Sequence, residues 1–152
     1  MVAHGRIHGN CVAREGDGLL IVGPSGSGKS DLTLRLLGRG FSLVADDQVE
    51  IVDGLARAPD ALAGLLEVRG LGIVRLPYLC DVKLHVIIAL TDHSAPSTKS
   101  LPERLPLPER HDALGLPVVH LRAADASAPD RVALALDCAL GRVTQEAGSF
   151  SA

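Results

Sequence analysis

The sequence predicts one α/β domain with a mixed sheet and flanking helices. Short apolar runs of strand length alternate along the chain with segments of helical periodicity. A glycine-rich loop at 23–30 stands between an apolar run at 19–22 and a helical segment at 31–39. An extended segment at 6–13, followed by turn residues, precedes that run and predicts an antiparallel hairpin. We therefore expect a sheet that is not purely parallel, although largely parallel sheets are usual where strands and helices alternate.

The composition indicates a single globular domain with an aliphatic core. A chain of 152 residues suffices for one domain spanning 1–152 and is too short for two. Apolar residues make up 47% of the chain and aromatic residues only 2%, so a base-stacking surface is not expected. With 15 basic and 18 acidic residues, the net charge is −3. This balance offers no basic face to nucleic acid or to an anionic membrane.

Nothing in the sequence indicates a membrane or an oxidising compartment. The apolar runs have strand length, far below a membrane span, and the first residues contain no apolar signal segment. Cys11, Cys80 and Cys138 are widely spaced, which suggests neither a disulfide framework nor a metal site. We therefore expect a cytoplasmic protein.

The loop at 23–30 has the pattern G-x-x-x-x-G-K-S of the phosphate-binding P-loop. Its residues are Gly23, Pro24, Ser25, Gly26, Ser27, Gly28, Lys29 and Ser30. Strand, glycine loop and helix in this order aim backbone N–H groups and a helix N-terminus at an anion. We expect Lys29 to reach the β- and γ-phosphates and the Ser30 hydroxyl to bind Mg²⁺. The sequence thus predicts a nucleoside triphosphate site; the alternative is a glycine-rich turn that binds nothing.

Two adjacent acids, Asp46 and Asp47, follow the next apolar strand at 41–45. A carboxylate at the end of a strand beside the P-loop strand is expected to hold the magnesium of a nucleotide. With two acids side by side, one can serve the metal while the other takes a proton from an attacking hydroxyl. The alternative is a polar turn after a strand. His8, in the extended segment, is by spacing alone a strand histidine on a solvated face.

The rest of the chain is predicted to complete the same sheet. An unusual string at 67–74 has an acid, a base and two glycines among aliphatic residues, which indicates close backbone approach or a bend. There Glu67 could be a further Mg²⁺ ligand and Arg69 a neutralising partner. The other predicted segments are a hairpin over 49–58, a short helix over 59–66, a strand over 81–90, a loop over 91–108, a strand over 117–121, a closing helix over 125–146 and a flexible tail over 147–152.

Four of these segments together resemble one family, the bacterial HPr kinase/phosphorylases. They are His8-Gly9, the P-loop, the strand ending in Asp46-Asp47, and the string E-V-R-G-L-G-I at 67–73. That string is the most specific, because it is not a general feature of P-loop proteins. The resemblance covers about 7–74.

The resemblance implies a fold, a reaction and a partner. The fold is the P-loop, PEP carboxykinase-like fold of the family's catalytic domain. The reaction uses ATP and Mg²⁺ to phosphorylate a seryl hydroxyl of HPr, the phosphocarrier of the sugar phosphotransferase system. Family members also remove that phosphate with inorganic phosphate, making pyrophosphate, but the Pro-, Gly- and Arg-rich segment important for this step is little kept near 117–122. The family forms hexamers, and this sequence resembles its short alphaproteobacterial form, in which the N-terminal domain is absent.

The resemblance also implies roles for matching residues. Lys29 and the loop amides would hold the phosphates, and Ser30 and Glu67 the magnesium. Asp47 would accept the proton in phosphorylation and donate it in the reverse reaction. His8 would lie near the transferred phosphate, and Arg104 resembles an active-site arginine of the family.

Two other functions remain as alternatives to a serine kinase acting on HPr or an HPr-like carrier. A small-metabolite kinase usually needs several arginines that close over the phosphates, and Arg104, Arg110 and Arg122 could serve that purpose. The third possibility is a nucleotide-dependent regulatory switch that binds ATP and partners with little turnover.

Overall fold

The computed structural model describes residues 4–91 and 103–151. In chain order, the strands are β1 His4–His8, β2 Asn10–Arg14, β3 Asp17–Val22, β4 Ser42–Ala45, β5 Gln48–Val52, β6 Leu55–Arg57, β7 Leu65–Val68, β8 Gly72–Arg75, β9 Val82–Leu90 and β10 Val118–Leu121. The helices are α1 Lys29–Leu37 and α2 Ala128–Ala139, with a short 3-10 helix at Asp60–Leu62.

Within this described part, eight strands form one mixed sheet and β7 and β8 form a separate hairpin. The order across the sheet is β1-β5-β6-β9-β3-β2-β4, and β10 pairs with the second half of β9. Strand β9 runs parallel to β3 and β10, whereas the other pairings in the sheet are antiparallel. The predicted α/β class with a mixed sheet is therefore confirmed.

The core lies on both faces of the central strands. Because side chains alternate along a strand, Leu19 and Ile21 of β3 contact one apolar cluster and Leu20 contacts the other. The first cluster includes Leu32 of α1 and Val132 of α2, so the two helices cover that face. The second cluster joins the central strands to residues of β5 and β6. This burial on both faces holds β3, and the loop that follows it, in a fixed place.

Both predicted hairpins form, but the first turn lies earlier than the predicted Gly16-Asp17-Gly18, because the last two of these residues belong to β3. Glu15 and Gly16 connect β2 to β3 with φ angles of 54° and 83°. Asp53 and Gly54 connect β5 to β6 with φ angles of 53° and 79°. Two consecutive residues with positive φ form the turn type that matches the twist of paired strands.

The position of β4 differs from the prediction. The acid-bearing strand was expected directly beside the P-loop strand β3, but β2 lies between them and pairs with both. Because β2 is antiparallel to each, β3 and β4 run parallel and end at the same edge of the sheet. The first residue of β2, Asn10, therefore lies between those two ends.

Two predicted helices are shorter than expected. The helix predicted over 59–66 is wrong, because only the 3-10 turn forms before β7 begins. The closing helix predicted over 125–146 ends at Ala139, and Gly141 then takes a left-handed φ of 75°. The N–H of Gly141 binds the Cys138 carbonyl and the N–H of Arg142 binds the Asp137 carbonyl, which is the hydrogen-bond pattern that closes many helices.

The remaining predictions concern the chain's surface segments. Most of the loop expected over 91–108 lies outside the described residues. The flexibility of 147–152 stays a prediction; Phe150 packs against the core, and its N–H donates to the Gln145 side chain. In the described segments, no helix is both long and apolar enough to span a bilayer.

Candidate active site

The P-loop connects β3 directly to α1 and depends on glycine at defined positions. Gly26 and Gly28 have φ angles of 81° and 97°, which favour glycine over other residues. A Cβ built on Gly28 would lie 2.8 Å from the Cβ of Ala123. Helix α1 begins at the next residue, so its free N-terminal N–H groups adjoin the loop. This is the arrangement that binds phosphate groups.

Lys29 is largely buried and points back into the loop. Its Nζ donates to the carbonyls of Gly23 at 2.8 Å and Pro24 at 3.1 Å. The positive charge is thereby held within the curve of the loop. A phosphate oxygen is a stronger partner for an ammonium than a neutral carbonyl, because the hydrogen bond becomes charge-assisted on both sides.

The two acids make contacts with different groups. Asp46 Oδ1 accepts a hydrogen bond from the Ser30 hydroxyl at 2.8 Å, and Asp46 Oδ2 accepts one from the N–H of Glu67 at 3.0 Å. Asp47 Oδ1 lies 2.7 Å from Nε2 of His8, and both side chains are more than half exposed. The two adjacent acids therefore differ in their surroundings. The Asp46 carboxylate lies beside the P-loop serine, and the Asp47 carboxylate is accessible and lies beside a histidine.

Asn10 connects the two acids and was missed by sequence reasoning. It is 1% exposed, and its Nδ2 donates to Asp46 Oδ1 at 2.8 Å and to Thr33 Oγ1 at 2.9 Å. Its Oδ1 accepts from the N–H of Asp47 at 3.1 Å. No motif marks this residue, and the only available signal was a polar side chain at the start of a strand whose other residues are mostly apolar.

The β7–β8 hairpin forms a wall of a cleft that brings most of the predicted site residues together. This cleft has a volume of about 850 Å³. The predicted residues that line it are His8, Ser25, Gly26, Gly28, Lys29, Ser30, Asp47 and Glu67. From the hairpin come also Arg69 and two largely exposed apolar side chains, Leu71 and Ile73.

Comparison with known proteins identifies the family to which the chain is similar. The family model described as HPr Serine kinase C-terminal domain matches residues 1–114. The chain belongs to this family.

Named relatives agree with this assignment, and a solved structure shares the fold. An HPr kinase/phosphorylase of Clostridium novyi (strain NT) is 50% identical over 96 residues, which is 56% of this chain and 31% of the relative. One from Cupriavidus metallidurans is 36% identical over 147 residues, or 88% of this chain and 44% of the relative. The chain thus spans less than half the length of these relatives. The structure of the Hpr(Ser) kinase/phosphatase from Coxiella burnetii matches the fold with a TM-score of 0.69 at 23% identity, covering 91% of this chain and 98% of that chain.

The oxygen donors in this family member's cleft fit a magnesium ion. Ser30 and Asp46 are in contact at the start of α1, and Glu67 lines the same cleft. Mg²⁺ prefers such oxygen ligands and usually completes its shell with water and substrate phosphates. Across 4–91 and 103–151, no three His, Cys, Asp or Glu side chains are placed to hold a metal by themselves.

Five predicted site residues do not line the cleft: Gly23, Pro24, Ser27, Asp46 and Arg104. The first four lie within two positions along the chain of residues that do line it, whereas Arg104 does not. Arg104 is exposed. The segment immediately before Glu103 lies outside the described residues. Its proposed role as an active-site arginine stays a prediction.

Gly9 is expected to be intolerant of even a methyl group, because it lies against the P-loop strand. A Cβ at this position would lie 2.6 Å from the Ile21 carbonyl oxygen, and the Gly9 N–H donates to the Asp47 carbonyl at 2.9 Å. We expect Gly9→Ala to lower the free energy of unfolding by about 1–3 kcal/mol, measured by urea denaturation. Gly38→Ala is the matched control, since its Cβ would meet nothing closer than 3.5 Å. Equal stability of the two variants would contradict the close contact.

Proposed function

We propose that the chain is an ATP- and Mg²⁺-dependent kinase that phosphorylates a seryl hydroxyl of HPr or an HPr-like carrier protein. The observation that carries this proposal is the cleft itself. Lys29, Ser30 and the accessible carboxylate of Asp47 line one space, so a phosphate site and a proton acceptor face the same volume. Family membership and the names of the relatives support the choice of acceptor.

The phosphate half of the mechanism is electrostatic. Lys29 and the amides at the start of α1 would neutralise the phosphate oxygens, since phosphoryl transfer needs positioning and charge neutralisation more than covalent chemistry. Ser30, Asp46 and Glu67 would hold Mg²⁺, which supplies further neutralisation of the phosphate charge when bound. Asp46 keeps the Ser30 hydroxyl oriented through their 2.8 Å hydrogen bond.

The acceptor half of the mechanism is a proton transfer at Asp47. As the seryl oxygen forms its bond to the γ-phosphorus, the bond from that phosphorus to the β,γ-bridging oxygen breaks and ADP leaves. The seryl O–H bond breaks at the same time, and its proton passes to the Asp47 carboxylate. The 2.7 Å contact with His8 Nε2 holds that carboxylate in one orientation. In the reverse direction an oxygen of inorganic phosphate would bond to the phosphorus of phosphoserine while the bond to the seryl oxygen breaks, giving pyrophosphate. The same Asp47 group, now protonated, would return its proton to the departing seryl oxygen.

The apolar side of the cleft favours a protein acceptor over a small metabolite. Leu34 of α1 and Leu71 and Ile73 of the hairpin are exposed apolar side chains that line the cleft. Exposed apolar groups beside a polar site are typical of surfaces that contact another protein. A small phosphate acceptor would make no use of them.

The proposal also covers the cellular setting of the protein. We propose that the chain acts as a single catalytic domain in the cytoplasm, binds neither nucleic acid nor membranes, and assembles into the hexamers typical of the family. The net charge of −3 supports the absence of nucleic acid binding. Analytical ultracentrifugation tests the assembly, and a monomer at micromolar concentration would contradict it.

The decisive test of function is phosphotransfer to the organism's own carrier proteins. Purified protein is incubated with Mg²⁺ and γ-labelled ATP and with each HPr-like carrier, and phosphoserine is located by mass spectrometry. Addition of inorganic phosphate then tests the reverse reaction through formation of pyrophosphate. Folded protein that labels no carrier would overturn the kinase proposal, and labelling of a metabolite would replace the acceptor.

Removal of the apolar side chains from the hairpin should weaken acceptor binding selectively. We expect the double variant Leu71→Ser, Ile73→Ser to raise the KM for the protein acceptor about tenfold, which corresponds to about 1.4 kcal/mol. This is less than the roughly 1.5–3 kcal/mol that complete burial of each side chain would contribute, because an interface buries such side chains only in part. The KM for ATP should stay unchanged. Leu134→Ser, at an exposed leucine on α2, is the control. An equal effect of both variants would exclude the hairpin as an acceptor contact.

A further inference from the structure

Asn10 stands between the two acids, and the mechanism described above gives it no role. Each of its polar groups is engaged: Nδ2 donates to Asp46 Oδ1 and Thr33 Oγ1, and Oδ1 accepts from the N–H of Asp47. Because it is also 1% exposed, water does not compete for these hydrogen bonds. A buried amide that makes all of these hydrogen bonds is held in one orientation. It therefore also holds the groups that it contacts in fixed positions.

The backbone at Asp47 explains why a fixed partner is needed. Asp47 has a φ of 72°, a left-handed conformation that non-glycine residues seldom adopt without support. Two hydrogen bonds hold it there: its N–H donates to Asn10 Oδ1, and its carbonyl accepts from the N–H of Gly9 at 2.9 Å. This turn of the backbone separates the two adjacent acids, so that Asp47 meets His8 while Asp46 meets Ser30.

The chemistry of the position favours an amide over other side chains of similar size. The side chain must donate to a carboxylate and accept from a backbone N–H at the same time, which leucine cannot do at all. Aspartate could still accept from the Asp47 N–H, but it would place a second negative charge about hydrogen-bond distance from Asp46 Oδ1, where like charges repel. Asparagine satisfies both contacts without adding charge.

We propose that Asn10 is a positioning residue for phosphoryl transfer, which keeps the Asp46 carboxylate on Ser30 and the Asp47 carboxylate on His8. Thr33 secures the other N–H of the same amide from α1. The predicted loss of kcat rests on the proposed function, because it is measured as carrier phosphorylation. The predicted role of Asn10 in holding the backbone at Asp47 does not rest on it.

The test compares Asn10→Leu and Asn10→Asp with Val132→Ala, a core variant of α2 that lowers stability away from the cleft. Four quantities are measured: kcat for carrier phosphorylation, affinity for a fluorescent ATP analogue in EDTA, amide hydrogen exchange at Asp47 by NMR, and the thermal midpoint of unfolding. We expect Asn10→Leu to lower kcat about 100-fold and to leave the affinity within about threefold. In Asn10→Leu, the hydrogen-exchange rate of the Asp47 amide should rise by a much larger factor than the exchange rates of the core amides.

Asn10→Asp and the control separate positioning from general stability. Asn10→Asp keeps the acceptor for the Asp47 N–H, so we expect exchange there near the wild-type rate together with a reduced kcat. Val132→Ala should leave kcat unchanged although it lowers the thermal midpoint. A kcat loss in Asn10→Leu no greater than in Val132→Ala, or unchanged Asp47 exchange, would overturn the proposal. If the wild-type protein phosphorylates no carrier, the proposed function fails while Asp47 exchange still decides the role of Asn10.

Discussion

Asp47→Asn is expected to lower the rate of phosphotransfer about 10³-fold and to leave nucleotide affinity nearly unchanged. The amide has the shape of the carboxylate but cannot accept the seryl proton. Asparagine also tolerates a left-handed backbone better than most residues, so the φ of 72° can persist. The hydrogen bond to Asn10 comes from the Asp47 main chain and is retained as well.

The measurement is single-turnover phosphorylation of the carrier together with equilibrium binding of an ATP analogue. Asp60→Asn serves as the control, because Asp60 is an exposed acid in the 3-10 helix and does not line the cleft. A parallel loss of transfer and binding would place Asp47 among the nucleotide ligands. A rate close to that of the wild-type protein would show that the proton has another acceptor.

Lys29→Ala is expected to lower kcat/KM for ATP about 10³-fold, because the variant loses the only side-chain charge that the loop itself contributes. The loss includes a local effect. The Lys29 ammonium binds the carbonyls of Gly23 and Pro24, so its removal leaves two loop carbonyls without that donor. The loop should therefore become less ordered as well as less positive.

Steady-state kinetics and nucleotide binding check this prediction. Lys83→Ala is the matched control, because Lys83 is exposed near the start of β9, at the opposite end of that strand from the loop edge. The control variant should behave as the wild-type protein does. A Lys29→Ala protein that retains wild-type kcat/KM would exclude the P-loop as the phosphate site.

The parts of the fold that follow from local chemistry could be predicted from the sequence. The P-loop pattern predicts its strand, its glycine conformations and its helix, because each feature depends on residues next to one another. Asp53-Gly54 predicts a tight hairpin for the same reason. The regular apolar spacing of Leu32 and Leu36 predicts the buried face of α1.

The parts that depend on pairing between distant segments could not be predicted. Nothing in the residues of β2 indicates that this strand lies between β3 and β4, because a strand's pattern shows which face is buried but not which strand is its neighbour. The role of Asn10 follows only from that insertion. The end of α2 is different, because Gly141 is a stop signal that the sequence contains. An apolar stripe at helical spacing continues past that glycine and favours the longer helix; it consists of Val132, Leu136, Leu140 and Val143.

The insertion of β2 also bears on how rapidly the catalytic centre can assemble. The histidine, the phosphate loop and both acids come from the continuous stretch 8–47, and their most distant contact joins residues 39 positions apart. Loop-closure entropy rises with the logarithm of loop length, so these groups can meet before β10 arrives from 118–121. Since chains rich in local contacts fold faster, a catalytic centre drawn from one short stretch favours rapid folding, and the pairing of β9 with β3 then fixes the phosphate loop in place.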